Sequence, residues 1–244
     1  MELHRYIPFE SLVDIVINRE LTFTNPLTSW DDGCEGLIFR ALQTKEGQDK
    51  INTILKAHGS KCFIVPEMGH LIRCQCWAKS RDSIAMWSMY QYEGKTIMIK
   101  TTDFQIMQLT NGVSNVQLHK IDYFKTGAIN SLEDEIEKSL SKAISENNIN
   151  VAYFFTSKRD SFQHEEEVRA ISSIPPRGDV STRIKNPLRL KIENPINEFI
   201  EEVLVHPKAP DYYVDIVISF CKKYAINCSG KSNILHFPGM VKKG

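Results

Sequence analysis

Apolar and polar positions follow one another with a changing period along this chain, and each change marks an element. Residues 3–7 suit a short strand that Pro8 breaks, and Leu12, Val13, Val16 and Ile17 then recur at helical spacing over 9–19. ELTFTN, 20–25, alternates as a strand does and closes at Asn25-Pro26. The polar stretch WDDGCEG, 30–36, reads as a loop, followed by two helical stretches that end near His58 and Gly59. Strands are predicted at 62–65 and 73–78. A helix follows at 82–92, with Ser80 or Asp82 as N-cap and Gly94 as its end, and then a strand at 95–100.

The second half starts with a strand at 116–124. Ser131 opens the clearest helix. Ser131 and Asp134 have capping-box spacing with Asp in place of Glu, and Leu132, Ile136, Leu140, Ala143 and Ile144 form one apolar stripe. A helix at 150–160, a strand at 165–173 and a polar, turn-rich loop at 175–187, expected to be mobile, come next. Strands at 188–192 and 200–206, a helix at 211–224 and a last strand near 228–235 complete the pattern, with a C-terminal tail at 237–244. Strands and helices mix without strict βαβ order. The expected fold is therefore α+β: a single domain over 1–244 with a central, mainly antiparallel sheet, whole or split, flanked by helices.

Composition changes this picture little. The 244 residues are 42% hydrophobic and 25% charged, an ordinary globular balance. Lys+Arg and Asp+Glu both number 30, so no global basic field points to nucleic acid or a membrane surface, although a local basic groove is compatible with that balance. The opening MELHRYIPFE lacks a signal-peptide pattern, and no stretch approaches the roughly 18–20 apolar residues that span a bilayer. Six scattered cysteines with no C-x-x-C pair read as reduced thiols, and the expected compartment is the cytoplasm.

Candidate chemistry gathers in three places. In FQHEEEVRAI, 162–171, strand alternation would set Glu165, Glu167 and Arg169 in a row on one face, about 7 Å apart along the strand. Arg169 would favour the ionised form of Glu167, and the neighbouring carboxylate would oppose it. The competing reading is a salt-bridge row on a solvated face. In 74–100, Trp87 and Tyr90 stand three apart, so they could floor a pocket and stack on a flat ring, or simply fill the core. The loop carboxylates Asp31, Asp32 and Glu35 could bind a divalent cation, or serve as a solvated loop and helix cap. Zinc spacing, Walker A, G-x-G-x-x-G, H-E-x-x-H and G-x-S-x-G patterns are all missing, and no metal site is expected. His4 and Tyr6 share a face of the first strand, which matters if that strand lies beside Glu167.

Taken together, these blocks resemble a prokaryotic family known as domain of unknown function 2971. The resemblance runs over residues 3–234, through LHRYIPFESLVDIVINRELTFTNP, WDDGCE, Ser83…Met86-Trp87…Tyr90…Gly94, Phe162…Glu165-x-Glu167-x-Arg169 and IEEVLVHPKAPDYYVDIVISFCKKYAINCSGKSNI. It departs at Met89, where a His often precedes the Tyr, and at Gly33, where a Pro often follows the Asp. The block order is also similar to an ADP-ribosyltransferase fold, which places His4 (or Arg5), Ser83 with Tyr90, and Glu167 in that fold's site positions.

That resemblance implies cleavage of the nicotinamide–ribose bond of NAD, with NAD as a substrate and a protein or nucleic acid as acceptor, in a toxin or defence effector. Glu167 would stabilise charge at the anomeric carbon, Tyr90 would stack on nicotinamide, His4 would hold the adenosine ribose and Glu165 would orient the acceptor. Arg5, Tyr6, Ser83, Trp87 and Arg169 would contact the dinucleotide. Two alternatives stay open: a non-catalytic module that binds a small ligand or a protein, and a metal-dependent nuclease or hydrolase with Asp31, Asp32, Glu35 and Glu165/Glu167 as oxygen ligands and Lys158 and Arg159 on phosphate.

Overall fold

The computed structural model describes residues 1–30, 32–110, 115–125, 131–145, 148–173 and 186–235. In chain order the elements are β1 (Glu2–Pro8), α1 (Phe9–Asn18), β2 (Glu20–Phe23), α2 (Pro26–Ser29), α3 (Leu37–Ala41), α4 (Lys45–Ala57) and β3 (Ile72–Ala78). Next come α5 (Ile84–Met89), β4 (Thr96–Thr102), α6 (Asp103–Met107), β5 (Val116–Lys120), β6 (Asp122–Phe124), α7 (Ser131–Ala143), β7 (Ile144–Ser145) and β8 (Asn148–Ile149). The last are β9 (Ser157–Arg159), β10 (Glu167–Ser173), β11 (Leu188–Lys191), α8 (Ile196–Phe199), β12 (Glu202–Val205), α9 (Asp211–Lys223) and β13 (Cys228–Lys231). The chain is α+β, with a large, mainly antiparallel sheet flanked by helices.

Two compact units divide it, the first drawn from Met1–Leu21, Trp77–Leu109 and Lys191–Gly244, the second from Thr22–Cys76 and Thr110–Leu190. In the first unit β1 pairs antiparallel with β4 along its whole length, from Glu2↔Thr102 to Pro8↔Thr96. β4 pairs antiparallel with β12, and β12 runs parallel to β13. Residues directly opposite share a face of the sheet, so Tyr6, Met98 and Leu204 line one side, where Met86 and Trp87 of α5 pack on them. Helices α1 and α9 meet through the edge-to-face rings of Phe9 and Phe220, 5.3 Å apart.

In the second unit β10 pairs antiparallel with β5 and has β3 as its other neighbour. A parallel ribbon joins β6 to β9 with Tyr123 opposite Lys158. The apolar core gathers Ile38 and Phe39 of α3, Leu55 of α4, Leu140 of α7, Phe154, Phe155 and Ile171. Gly36, at the N-cap of α3, has φ 64. A Cβ there would come 2.7 Å from Leu27 Cδ2 and 2.9 Å from Phe155 Cε1, so both the backbone and the packing require glycine.

Several expected elements are corrected. Residues 62–65 form no strand; they lead into a 3-10 turn at Pro66–Leu71, and Phe63 is exposed. The helix expected at 82–92 shortens to α5, and Ser83 is its cap, its hydroxyl accepting from Met86 N. Residues 116–124 divide at Ile121 into β5 and β6, which belong to different sheets. Residues 150–160 form a 3-10 turn, Val151–Phe155, and then β9; Val151, Phe154 and Phe155 have helical spacing, but the apolar period stops there, with Lys158 and Arg159 where it would continue. Three short helices, α2, α6 and α8, are too brief to leave a period in the sequence. The loop expected at 175–187 falls outside the described residues up to 185, as does the tail at 237–244.

Candidate functional site

The second unit holds the decisive acidic segment, and a local break shapes it. Residues Asp160–Glu165 form a 3-10 turn, and Glu166 then adopts the left-handed conformation, φ 43 and ψ 47. The strand therefore begins at Glu167, not at 165 as the alternation suggested. Glu165 arrives from the turn, while Glu167 and Arg169 alternate onto one face of β10 as period two requires.

The face is buried, which corrects the reading of a solvated salt-bridge row. Arg169 is 0% exposed and Glu167 3% exposed. Arg169 Nε donates to Glu167 Oε1 at 2.7 Å. Its Nη1 and Nη2 donate to Glu35 Oε2 and Oε1 at 2.8 and 3.1 Å, a two-pronged pairing that fixes both side chains. Nη1 also donates to the Phe155 carbonyl, and the guanidinium lies 4.5 Å from the Trp30 ring. On the other side of Glu167, Lys158 Nζ donates to Glu167 Oε2 at 3.1 Å and to Glu165 Oε2 at 2.6 Å. Tyr123 Oη accepts from the Glu167 backbone N–H, and the Cys76 thiol donates to the Glu167 carboxylate. The network runs inward from Lys158 and Glu165, whose side chains keep 10% and 6% of their surface, to Glu35 and Arg169.

Burial and charge push these carboxyls in opposite directions. Burial would raise Glu167, but Arg169, Lys158 and the hydrogen bonds from Arg169 and Cys76 outweigh it and hold the group at about 2. Glu165 is raised, chiefly by burial that Lys158 only partly offsets. Glu35 is raised by burial too, against Arg169. Two acids beside one ammonium thus sit on opposite sides of their ordinary value, so neighbouring carboxyls differ in their hold on a proton.

Glu35 and Asp32 are claimed by cations. Arg169 holds Glu35, and Arg159 Nη2 pairs with Asp32 Oδ1 at 3.0 Å. Asp31 lies outside the described residues. Among the described residues no group of three or more His, Cys, Asp or Glu is placed to hold a metal ion. A cavity of about 350 Å3 in this unit is lined by Gln117, Asn148, Asn150, Ile171 and Ser173 among others, and no member of the charged network lines it.

The first unit holds the other predicted residues. Tyr6 is buried; its ring meets Trp87 edge to face at 4.7 Å and stacks on Tyr90 at 6.3 Å. Tyr6 Oη accepts from Ser83 N at 2.9 Å, so Ser83 both caps α5 and anchors it to β1. Trp87 is 2% exposed, and its Nε1 donates to Asp82 Oδ1, which also accepts from Ser232 Oγ. Trp87 is thus a core side chain with a satisfied polar end, while Tyr90 keeps part of its surface. His4 is 1% exposed; its Nδ1 lies 3.1 Å from the Lys79 carbonyl and its Nε2 has no hydrogen-bond partner. Arg5 points to the opposite face of β1 from His4 and Tyr6, in register with Ile99.

Sequence reasoning set Lys158 on phosphate rather than in an ion pair with these acids, and it treated Glu35 as a metal-loop carboxylate. The available signal was charge balance: a buried Glu-x-Arg pair flanked by further acids needs a second cation.

No family model matches the chain, and no curated protein matches it, so the resemblance to the domain of unknown function 2971 family rests on the sequence blocks alone. Two solved structures, both of Thermus sp. 2.9 DarT, are similar along nearly the whole length. One, in complex with ADP-ribosylated ssDNA, is 8% identical with a TM-score of 0.37 and covers 93% of this chain and 92% of its own. The other, in complex with NAD+, is 7% identical with a TM-score of 0.39 and covers 97% of both chains. At these scores the likeness carries no functional argument. No described helix is long and apolar enough to cross a membrane.

Proposed function

We propose that the chain is an NAD-consuming ADP-ribosyltransferase-like protein, with Glu167 as the carboxylate that acts on the breaking nicotinamide–ribose bond. The observation that carries this reading is an imbalance of buried charge. Three carboxylates, Glu35, Glu165 and Glu167, share two cations, Arg169 and Lys158, among the described residues. A buried, unmatched negative charge is costly, and it is relieved by a proton or by a bound cationic centre.

NAD brings such a centre. Its pyridinium nitrogen is positive, and when the C–N bond breaks the electron pair leaves with neutral nicotinamide while the positive charge passes to the ribosyl carbon. A preorganised carboxylate stabilises that carbon most where charge develops. The acceptor then attacks it and loses a proton, which Glu165 could take. The acceptor class is a nucleophile on a protein or a nucleic acid. The order of sequence blocks supports the same reading.

Release of nicotinamide from NAD is the test, with wild type compared against Glu167→Gln and the charge-retaining Glu167→Asp. The expected result is turnover in wild type and a loss of at least about a hundredfold in Glu167→Gln, measured on protein whose melting curve shows it folded. His4→Ala and Tyr90→Ala in the same assay decide whether those residues act too. Wild-type protein that neither releases nicotinamide nor gains thermal stability from NAD would sink the reading. Stabilisation by a different ligand without turnover would favour the binding module instead.

A further inference from the structure

We infer that Lys158 is the positioning residue of the acidic pair, one ammonium that clamps the carboxylates of Glu165 and Glu167 together and fixes how both are presented. The inference deepens the proposed function and rests on it for its catalytic half only.

The clamp is built by the β6–β9 ribbon. Tyr123 and Lys158 are opposite each other in register, so their side chains leave the ribbon on one face. Both reach the same short segment. Tyr123 Oη accepts from the Glu167 N–H at 2.8 Å, and Lys158 Nζ meets Glu165 Oε2 and Glu167 Oε2. The backbone and both carboxyls are thereby tied to neighbouring positions of one two-stranded element. The Phe162 ring, 4.5 Å from Nζ, closes a third side of the ammonium. Lysine suits the task because its ammonium is a compact charge with three donors, able to bridge two carboxylates that approach from different elements.

Other groups cannot do the same work. Arg169 comes from β10 itself and is committed to Glu167 Oε1, Glu35 and the Phe155 carbonyl, and none of those bonds reaches Glu165. Cys76 of β3 meets Glu167 through a neutral thiol whose pKa is raised by burial. His164 lies exposed in the 3-10 turn and is no part of the β6–β9 ribbon, so it cannot tie either carboxyl to that element. Removing the Lys158 charge therefore frees Glu165 and leaves two buried carboxylates facing each other.

The experiment compares Lys158→Met and Lys158→Arg with wild type by two readouts. In carboxyl-carbon NMR titrations of the folded proteins, Lys158→Met raises the Glu167 titration by about one unit or more, and Lys158→Arg restores most of it. In nicotinamide release, Lys158→Met lowers kcat at least about tenfold with KM for NAD nearly unchanged, and Lys158→Arg recovers part of the rate. Should Lys158→Met not fold, Lys158→Gln, which keeps a donor without the charge, takes its place. An unmoved Glu167 titration, or a loss confined to KM, would overturn the clamp. A moved titration in a protein that never releases nicotinamide keeps the clamp and removes the proposed function, so the two can fail separately.

Discussion

At the scale of single residues, Glu167 ties stability to pH. Its carboxyl is held at about 2 against an ordinary value of 4.5, so the folded chain binds that proton more weakly than the unfolded chain. The resulting stabilisation is complete above about pH 4.5 and is lost as pH falls toward 2, and its size is roughly 3 kcal/mol. Glu165 and Glu35 are shifted the other way, so their ionisation costs stability above their ordinary value. Glu167→Gln is therefore expected to lose about 3 kcal/mol at neutral pH and to approach wild type in acid. Urea unfolding at pH 7, 5 and 3 measures this, and a deficit that stays constant across the series would show that ionisation is not its source.

Elements tell how much could be read without coordinates. Helices α1, α4 and α9 carry an unbroken apolar period, and the structure has them where the pattern put them. The acidic strand was legible in part. Glu167 and Arg169 do share a face, because both lie within β10 and alternation holds there. Glu165 was misplaced since nothing in HEEEVR marks Glu166 as left-handed; tertiary packing, not local preference, sets that angle. The ion-pair role of Lys158 was hidden for a related reason. A short buried ribbon strand such as β9 has no period to detect, and residues 150–160 passed for a helix.

Gly36 was another silent position at this scale. Gly36→Ala is expected to cost roughly 1–3 kcal/mol, because it adds backbone strain and drives a methyl into Leu27 and Phe155. Gly59 has nearly the same φ, 63, but a methyl added there would meet nothing within 4 Å, so Gly59→Ala carries the backbone cost without the clash. Melting temperatures of the two variants separate these contributions; equal losses would mean that packing around Phe155 is unimportant.

For the whole molecule, the chain passes from one compact unit to the other at four points, and three of them fall inside β2, β3 and β11. Boundaries between domains ordinarily fall in exposed linkers, not within paired strands. The units are therefore expected to unfold as one domain. Hydrogen exchange in increasing urea tests this through β1 and β4 for the first unit and β5 and β10 for the second. A single loss of protection is expected, and well-separated midpoints would divide the chain into two domains. The equal numbers of acidic and basic residues belong to this scale as well. They do not reveal that, among the described residues, the buried network sets three carboxyls against two cations.

The left-handed residue between the two acids has a mechanical consequence. Glu167 is woven into a ladder with strands on either side, whereas Glu165 hangs from a single 3-10 turn. One carboxylate is thus mounted on a stiff frame, and its neighbour on a turn tied to that frame through the shared Lys158 ammonium. A reaction that needs one fixed charge and one travelling proton finds both within three consecutive residues.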